Sequence, residues 1–185
     1  QGHDGAYGAP GGLAELAPDG RVIRTASARS AETPDDLVWP YSLAIVPAKD
    51  RAIVALSEMG MPGKDFDRTN QVQIWSTSDL KLLGTVSLPK SGVGEHHLDP
   101  AEPRVLADGT VYVNTFTCGL YRIDGVTSGT PSATFVHAFP GGKGAHDACA
   151  VPVVYGNYWI QTVPEINGLI ALDVSLLGCR QSAPT

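Results

Sequence analysis

The chain has 185 residues, of which 43% are hydrophobic and 17% charged, a composition that fits one globular domain with a core and argues against disorder. No apolar run is long enough to span a bilayer. The formal net charge of −6 argues against nucleic acid as a partner, because phosphate binding requires a basic face.

The N-terminal half predicts short strands separated by tight turns. A Gly-rich polar loop over residues 1–10 precedes a predicted hairpin over 12–26, which turns at Pro18-Asp19-Gly20. After an acidic connector, a unit of four strands is predicted over 41–88, with a long polar insertion at 57–70 between its second and third strands.

The stretch 94–124 is the clearest repeat unit. Its Asp108-Gly109 pair, between two alternating apolar runs, is a strong local signal for a β-hairpin. A run at 133–139 adds a fourth strand, which predicts a second four-stranded unit over 102–139. Residues 148–175 then repeat the first three strands; GLYRID at 119–124 and GLIALD at 168–173 occupy equivalent places.

Units of three or four strands that recur about every 45 to 60 residues are typical of a β-propeller, with a β-sandwich as the alternative. The sequence therefore predicts an all-β protein that is a single β-propeller portion over 1–185. Its thirteen predicted strands are too few to close a ring of six to eight blades. We expect the rest of the propeller to come from another chain or from further sequence, because open blade edges invite aggregation.

Strand alternation also predicts which side chains lie between blades. Residues that face a neighbouring blade recur at every second position of each strand. The set predicted to be buried is Val105, Val111, Val113, Leu120, Val151, Val153, Ile160 and Ile170.

The same strand parity predicts a functional end of the molecule. Loops between second and third strands, and links into each first strand, lie at one end of a propeller, and four of the five histidines fall in such segments. Converging imidazoles suit copper, zinc, iron or nickel, although polar loops also carry histidines that bind nothing. The predicted ligands are His3, His96, His97 and His146. Carboxylates that could bind the metal or orient an imidazole are Glu95, Glu102 and Asp147.

The fifth histidine, His137, is predicted to be structural or solvated, because it lies in an outermost strand.

Three cysteines, Cys118, Cys149 and Cys179, cannot all pair within one chain, and their spacing fits no zinc motif. Cys118 and Cys149 lie in equivalent regions of successive units, so they form either a disulfide or buried free thiols. Few basic residues and long Gly/Pro-rich loops favour a periplasmic or secreted location.

The segments EHHLDPAEPRVLADGTVYVNTF, CGLYRIDG and CAVPVV–YWIQTVP–LIALDVS, within residues 94–175, resemble the selenium-binding protein family, which includes methanethiol oxidases. The resemblance implies a β-propeller with a copper-type site of histidines in its central channel, matched here by His96, His97 and His146. The chain departs from the family in having no paired-Cys motif, so further ligands would come from His3 or from other sequence. A more distant similarity to lactonase-type propellers implies calcium, held by Glu102 and Asn114.

The resulting hypothesis is a metal-dependent propeller enzyme, with copper favoured over zinc, that oxidises a small sulfur compound in the central channel. One alternative is a non-catalytic propeller scaffold that binds a protein partner. The other is a calcium-dependent hydrolase of the lactonase type.

Overall fold

The computed structural model describes residues 12–27, 39–57, 71–89, 100–115, 117–140, 149, 151–163 and 166–177. These residues form thirteen β-strands, so the all-β prediction is confirmed. Within these ranges no helix has the length and apolar character needed to cross a membrane.

The strands form four antiparallel sheets that follow one another in chain order. Sheet A is the hairpin of β1 (Gly12–Leu16) and β2 (Val22–Ser27). Sheet B contains β3 (Trp39–Val46), β4 (Arg51–Ser57), β5 (Gln71–Ser76) and β6 (Leu82–Ser87). Sheet C contains β7 (Pro100–Val105), β8 (Val111–Thr115), β9 (Gly119–Asp124) and β10 (Ser132–Ala138). Sheet D contains β11 (Val153–Tyr155), β12 (Tyr158–Val163) and β13 (Gly168–Asp173).

Each sheet is a meander in which every strand pairs with the next one along the chain. The Asp108-Gly109 turn shows why the sequence folds this way. Gly109 has a φ of +82°, a conformation that glycine adopts without strain, and its N–H donates to the Leu106 carbonyl at 2.9 Å. The Asp108 side chain accepts the next N–H, from Thr110, at 2.8 Å.

Sheets B and C bury one apolar cluster between them. β7 packs against β3 and β4, and β10 packs against β6, so the first strands and the last strands of the two sheets lie side by side. The buried members are Val46, Ile53, Val72, Ile74, Val86 and Leu88 from sheet B and the strand end that follows it, and Val111, Val113, Tyr121, Ile123 and Val126 from sheet C and its β9–β10 loop.

A second cluster joins sheets C and D, and a third joins sheets A and B. The second contains Leu106, Tyr112, Cys118, Leu120, Phe139, Cys149, Trp159, Val163 and Val174. The third contains Leu13, Ala52, Val54 and Trp75. The four sheets therefore stack face to face in the order A, B, C, D.

A cationic side chain also bridges each pair of neighbouring sheets. Arg24 of sheet A donates to the Thr77 carbonyl, Arg51 of sheet B to the Val126 carbonyl and Arg104 of sheet C to the Pro152 carbonyl, each at 3.1 Å. These bonds fix the stacked sheets relative to one another at defined points.

The predicted burial holds for sheet C and fails for the outer side of sheet D. Val111, Val113 and Leu120 are buried, as predicted, whereas Val105, Ile160 and Ile170 are half-buried. The prediction was wrong for Val151 and Val153, which are 59% and 61% exposed. The buried set of β12 is Trp159, Gln161 and Val163, so the alternate side chains face away from sheet C, where no described sheet covers them.

Candidate functional site

A disulfide between Cys118 and Cys149 marks one end of the stack, which we call the disulfide end. It joins the turn between β8 and β9 to the segment before β11, with the two Cα atoms 5.1 Å apart. Both residues are buried. Of the two alternatives left by the sequence, the structure has the disulfide.

The β8–β9 turn is held by a threonine hydroxyl. Thr115 Oγ1 accepts the Gly119 N–H at 3.0 Å and lies 3.0 Å from Thr117 Oγ1. The Cys118 N–H donates to the Thr115 carbonyl at 3.0 Å, and Cys118 has a φ of 65°, in the left-handed region. The turn therefore presents Cys118 toward sheet D from a backbone conformation that non-glycine residues seldom adopt.

Turns at the opposite end of the stack contact one another. The Asp50 carboxylate, between β3 and β4, accepts hydrogen bonds from Thr77 and Ser78, between β5 and β6. Lys49 donates to the Gly109 carbonyl, between β7 and β8, at 3.2 Å. The β3–β4, β5–β6 and β7–β8 turns therefore lie at one end of the stack, and the β8–β9 turn lies at the disulfide end, as the alternating strand directions predict.

At that opposite end, hydroxyl groups stabilise the charge of one carboxylate. Hydrogen bonds from Thr77, then from Ser78, lower the pKa of the Asp50 carboxyl, because they stabilise its charged form. Among its described residues, this end carries no histidine.

A layer of amide side chains lies between sheets C and D. Asn114 is fully buried, and its Oδ1 accepts the Glu102 N–H at 3.0 Å. Its Nδ2 lies 3.5 Å from Gln161 Oε1, which also accepts the Trp159 indole N–H at 3.0 Å. Because Asn114 and Gln161 both lie in the second half of their strands, on the approach to the disulfide end, the layer is close to that end.

Two buried amide atoms have no hydrogen-bond partner among the described residues: Gln161 Nε2 and Gln71 Oε1. Leaving such a group unpaired costs about 1–3 kcal/mol, so each requires a partner from water, from a ligand or from segments outside the described ranges. Gln71 begins β5, directly after the insertion, which places it at the same end of its sheet.

Of the residues predicted to form the transition-metal site, Glu102 alone lies among those that the structure describes. Its Oε2 pairs with Arg104 Nη1 at 2.8 Å, and its side chain is 15% exposed. Arg104 also donates to the Pro152 carbonyl, which ties the pair to sheet D. Sequence reasoning missed Arg104, although the Glu-x-Arg spacing places both side chains on one face of a strand.

This pairing decides how Glu102 fits a metal. A carboxylate whose charge is compensated by arginine is a poor direct ligand, whereas its second oxygen, which has no described partner, can accept an imidazole N–H. No group of three or more His, Cys, Asp or Glu in the described part of the chain could hold a metal ion. The predicted ligands His3, His96, His97 and His146, and the carboxylates Glu95 and Asp147, lie outside the described residues.

His137, in β10, is half-buried, and its ring lies edge-on to Phe139 with 4.8 Å between ring centroids. Burial lowers its pKa, because desolvation penalises the imidazolium. Of the two roles predicted for it, structural or solvated, this environment fits the structural one.

Comparison with known proteins identifies no family. No family model and no curated protein matches the sequence. Among solved structures, the chain is similar to a protein of unknown function from Bacteroides caccae, with a TM-score of 0.46 and 12% sequence identity over 89% of this chain. The chain spans 54% of the length of that protein.

Proposed function

We propose that this chain is a portion of a β-propeller enzyme with a transition-metal site at the disulfide end. The face-to-face stacking of successive meanders, with the first strands of sheets B and C adjacent, supports the proposal, because propeller blades pack in this way. The Arg104–Pro152 bond extends the row of first strands to the segment before β11. The resemblance to the selenium-binding protein family adds a precedent for histidines in a propeller channel.

The Cys118–Cys149 disulfide is the observation that carries the proposed location. It fixes the segment before β11, which leads into the first strand of sheet D, to the β8–β9 turn, which joins the second and third strands of sheet C. In a propeller, these two kinds of connection are expected at the same end. His146 precedes Cys149 by three positions in the sequence, and His97 precedes Pro100, the first residue of β7, by three positions. The disulfide also supports an oxidising compartment for the protein.

In this proposal His96, His97 and His146, together with His3, hold the metal, and Glu102 orients one of the imidazoles. Asp147 and Glu95 supply further acceptors for imidazole N–H groups. A copper ion would accept electrons from a small sulfur compound in the channel one at a time, and an external electron acceptor would have to reoxidise it for each turnover. Arg104 holds the Glu102 side chain in place through their ion pair.

The test is the metal content of the purified protein and of a His96→Ala/His146→Ala double variant. We expect copper in near-stoichiometric amount in the unmodified chain and its loss in the double variant. His137→Ala is the matched control, because it removes a histidine outside the proposed site, and it should retain the metal. A folded protein that takes up no copper or zinc, or a double variant that binds as much as the control, contradicts the proposal.

The calcium alternative has less support from the described contacts. The Glu102 carboxylate already pairs with Arg104, and Asn114 Oδ1 already accepts the Glu102 N–H. Calcium would need these oxygens as ligands. Stoichiometric calcium that is lost in Glu102→Gln would favour it over copper.

The outer face of sheet D favours a binding role as the second candidate. Its exposed apolar side chains include Val153, Tyr155, Tyr158 and Leu169, the last two 47% and 68% exposed. We assign this face to a further sheet of the propeller, because sheets B and C each receive the next sheet on an apolar face of the same kind. A folded, metal-free protein that binds another protein through this face would favour the scaffold instead.

A further inference from the structure

A cavity of about 230 Å³ opens between sheets B and C, at the end opposite the disulfide. Arg51, at the start of β4, lines it together with the loop between β9 and β10. The apolar part of its wall consists of Ile74, Leu83, Val126 and Pro131. A site that combines apolar walls with a single cationic group is suited to a small amphipathic anion.

Arg51 differs from the other described arginines of the sheets in having no acidic partner. Arg24, Arg104 and Arg122 pair with carboxylates, respectively those of Glu15, Glu102 and Asp124. Arg51 instead donates Nε to the Val126 carbonyl at 3.1 Å and Nη1 to the Asp50 carbonyl at 2.9 Å. Both acceptors are neutral, so the guanidinium charge is not compensated by an ion pair within the described part of the chain.

The nearest acidic side chain in sequence is already engaged. The Asp50 carboxylate accepts hydrogen bonds from the hydroxyls of Ser76, Thr77 and Ser78. The half-buried guanidinium therefore has donor capacity left beside the cavity, since its two described bonds use Nε and Nη1. A half-buried charge without a counter-ion is unfavourable, and an anion in the cavity would remove that penalty.

We propose that this cavity binds a small monocarboxylate, with its carboxylate on Arg51 and its apolar tail against Ile74, Leu83 and Pro131. The planar guanidinium matches a carboxylate in shape and charge, which a neutral amide of the same size does not. The cavity is smaller than most sites for drug-sized ligands, which limits the tail to a single ring or a short chain. The proposal is independent of the metal site, which lies at the other end.

The test compares benzoate with benzamide, which has nearly the same shape without the charge, by titration of the full chain under NMR or calorimetric detection. We expect benzoate to bind at least about tenfold more tightly than benzamide, because an ion pair to the half-buried guanidinium supplies the difference. Equal binding of the two probes, or no saturable binding of benzoate, overturns the proposal without any variant.

Two variants locate the site. Arg51→Gln should weaken benzoate at least about tenfold, whereas Arg21→Gln, which removes an exposed arginine of the hairpin, should leave it unchanged. Arg51→Gln also removes the hydrogen bond to the Val126 carbonyl, so a loss of benzoate binding could come from a change in structure. Gly84→Leu tests the cavity independently, because it leaves Arg51 and its charge in place. A Cβ at Gly84 would lie 3.4 Å from Pro131 Cγ, on the cavity wall, and a leucine there should fill the space and block benzoate. Benzoate affinity that is unaffected by both cavity variants places the ligand elsewhere and overturns the proposal.

Discussion

At the residue scale, buried amides are part of the core of this protein. Trp159 donates its indole N–H to Gln161 and Trp75 donates to Gln73, in both cases two positions away on the same strand and at 3.0 Å. The arrangement lets a large aromatic ring be buried without leaving its N–H unpaired. The sequence did not predict it, because an amide within an alternating strand ordinarily indicates the solvent face. A tryptophan and a glutamine two positions apart in one strand, in either order, is the signal that could have revealed it.

His137 predicts a pH dependence of stability. Its folded-state pKa is lowered by burial, so its contribution to stability is complete above the unfolded pKa of about 6.5 and is lost as the pH falls below that value. In His137→Phe, which preserves a ring beside Phe139, the free energy of unfolding should fall less between pH 7 and pH 5. Urea denaturation of both proteins at several pH values measures this difference. The four other histidines are present in both proteins, so their contributions cancel in the comparison. Parallel pH profiles would show that burial does not perturb His137.

At the element scale, the turns were more predictable than the faces of the strands. Asp108-Gly109 and Pro18-Asp19-Gly20 specify their turns through local chemistry, and the structure has both where the sequence placed them. Val151 and Val153 were assigned to the wrong environment, because apolar alternation identifies a face but not whether another sheet covers it. That information lies in the neighbouring sheet and is absent from the strand itself.

The disulfide should be a substantial source of stability for sheets C and D. It closes a loop with a sequence separation of 31, for which chain entropy alone gives about 3–4 kcal/mol. A Cys118→Ala/Cys149→Ala variant should lose about that much free energy of unfolding in urea, and dithiothreitol in the denaturation series should lower the midpoint of the unmodified protein but not of the variant. Cys179→Ala serves as the control and should retain both the stability and the response to dithiothreitol. A double variant as stable as this control would contradict a structural role for the bond.

At the scale of the whole molecule, the stack of described sheets ends in an apolar face, the outer side of sheet D. Val153 and Leu169 lie on the outer side of sheet D. Their cross-strand partners on that side are Ile160 and Thr162, respectively. Contiguous exposed apolar surface of this kind marks an interaction site. The sequence predicted an unclosed stack from its strand count, yet it could not show which face the described sheets leave uncovered. The same limit applies to the candidate metal site, because strand parity assigns segments to an end but does not determine distances between side chains.

Exposed as it is, this face should cause the isolated chain to self-associate. Sedimentation velocity across a concentration series should show association that is reduced in a Val153→Lys/Leu169→Lys variant, because lysine is costly to bury against an apolar surface. Thr25→Lys/Ser87→Lys adds the same charge at exposed polar positions of sheets A and B and should associate like the unmodified chain. Equal association of the two variants would mean that contact does not occur through sheet D.

The bridges between sheets have a consequence for how substitutions are tolerated. Each runs from a side chain to a main-chain carbonyl: Arg24 to Thr77, Arg51 to Val126 and Arg104 to Pro152. A carbonyl is present whatever amino acid occupies the acceptor position, so a change of side chain at Thr77 or Val126 leaves an acceptor for the bond. The donors have no such redundancy, since only a long cationic side chain reaches across. A substitution therefore breaks the bond between two sheets when it replaces the arginine, which lies in the earlier sheet of each pair. A substitution at the acceptor position, in or next to the later sheet, leaves the main-chain carbonyl available for the bond.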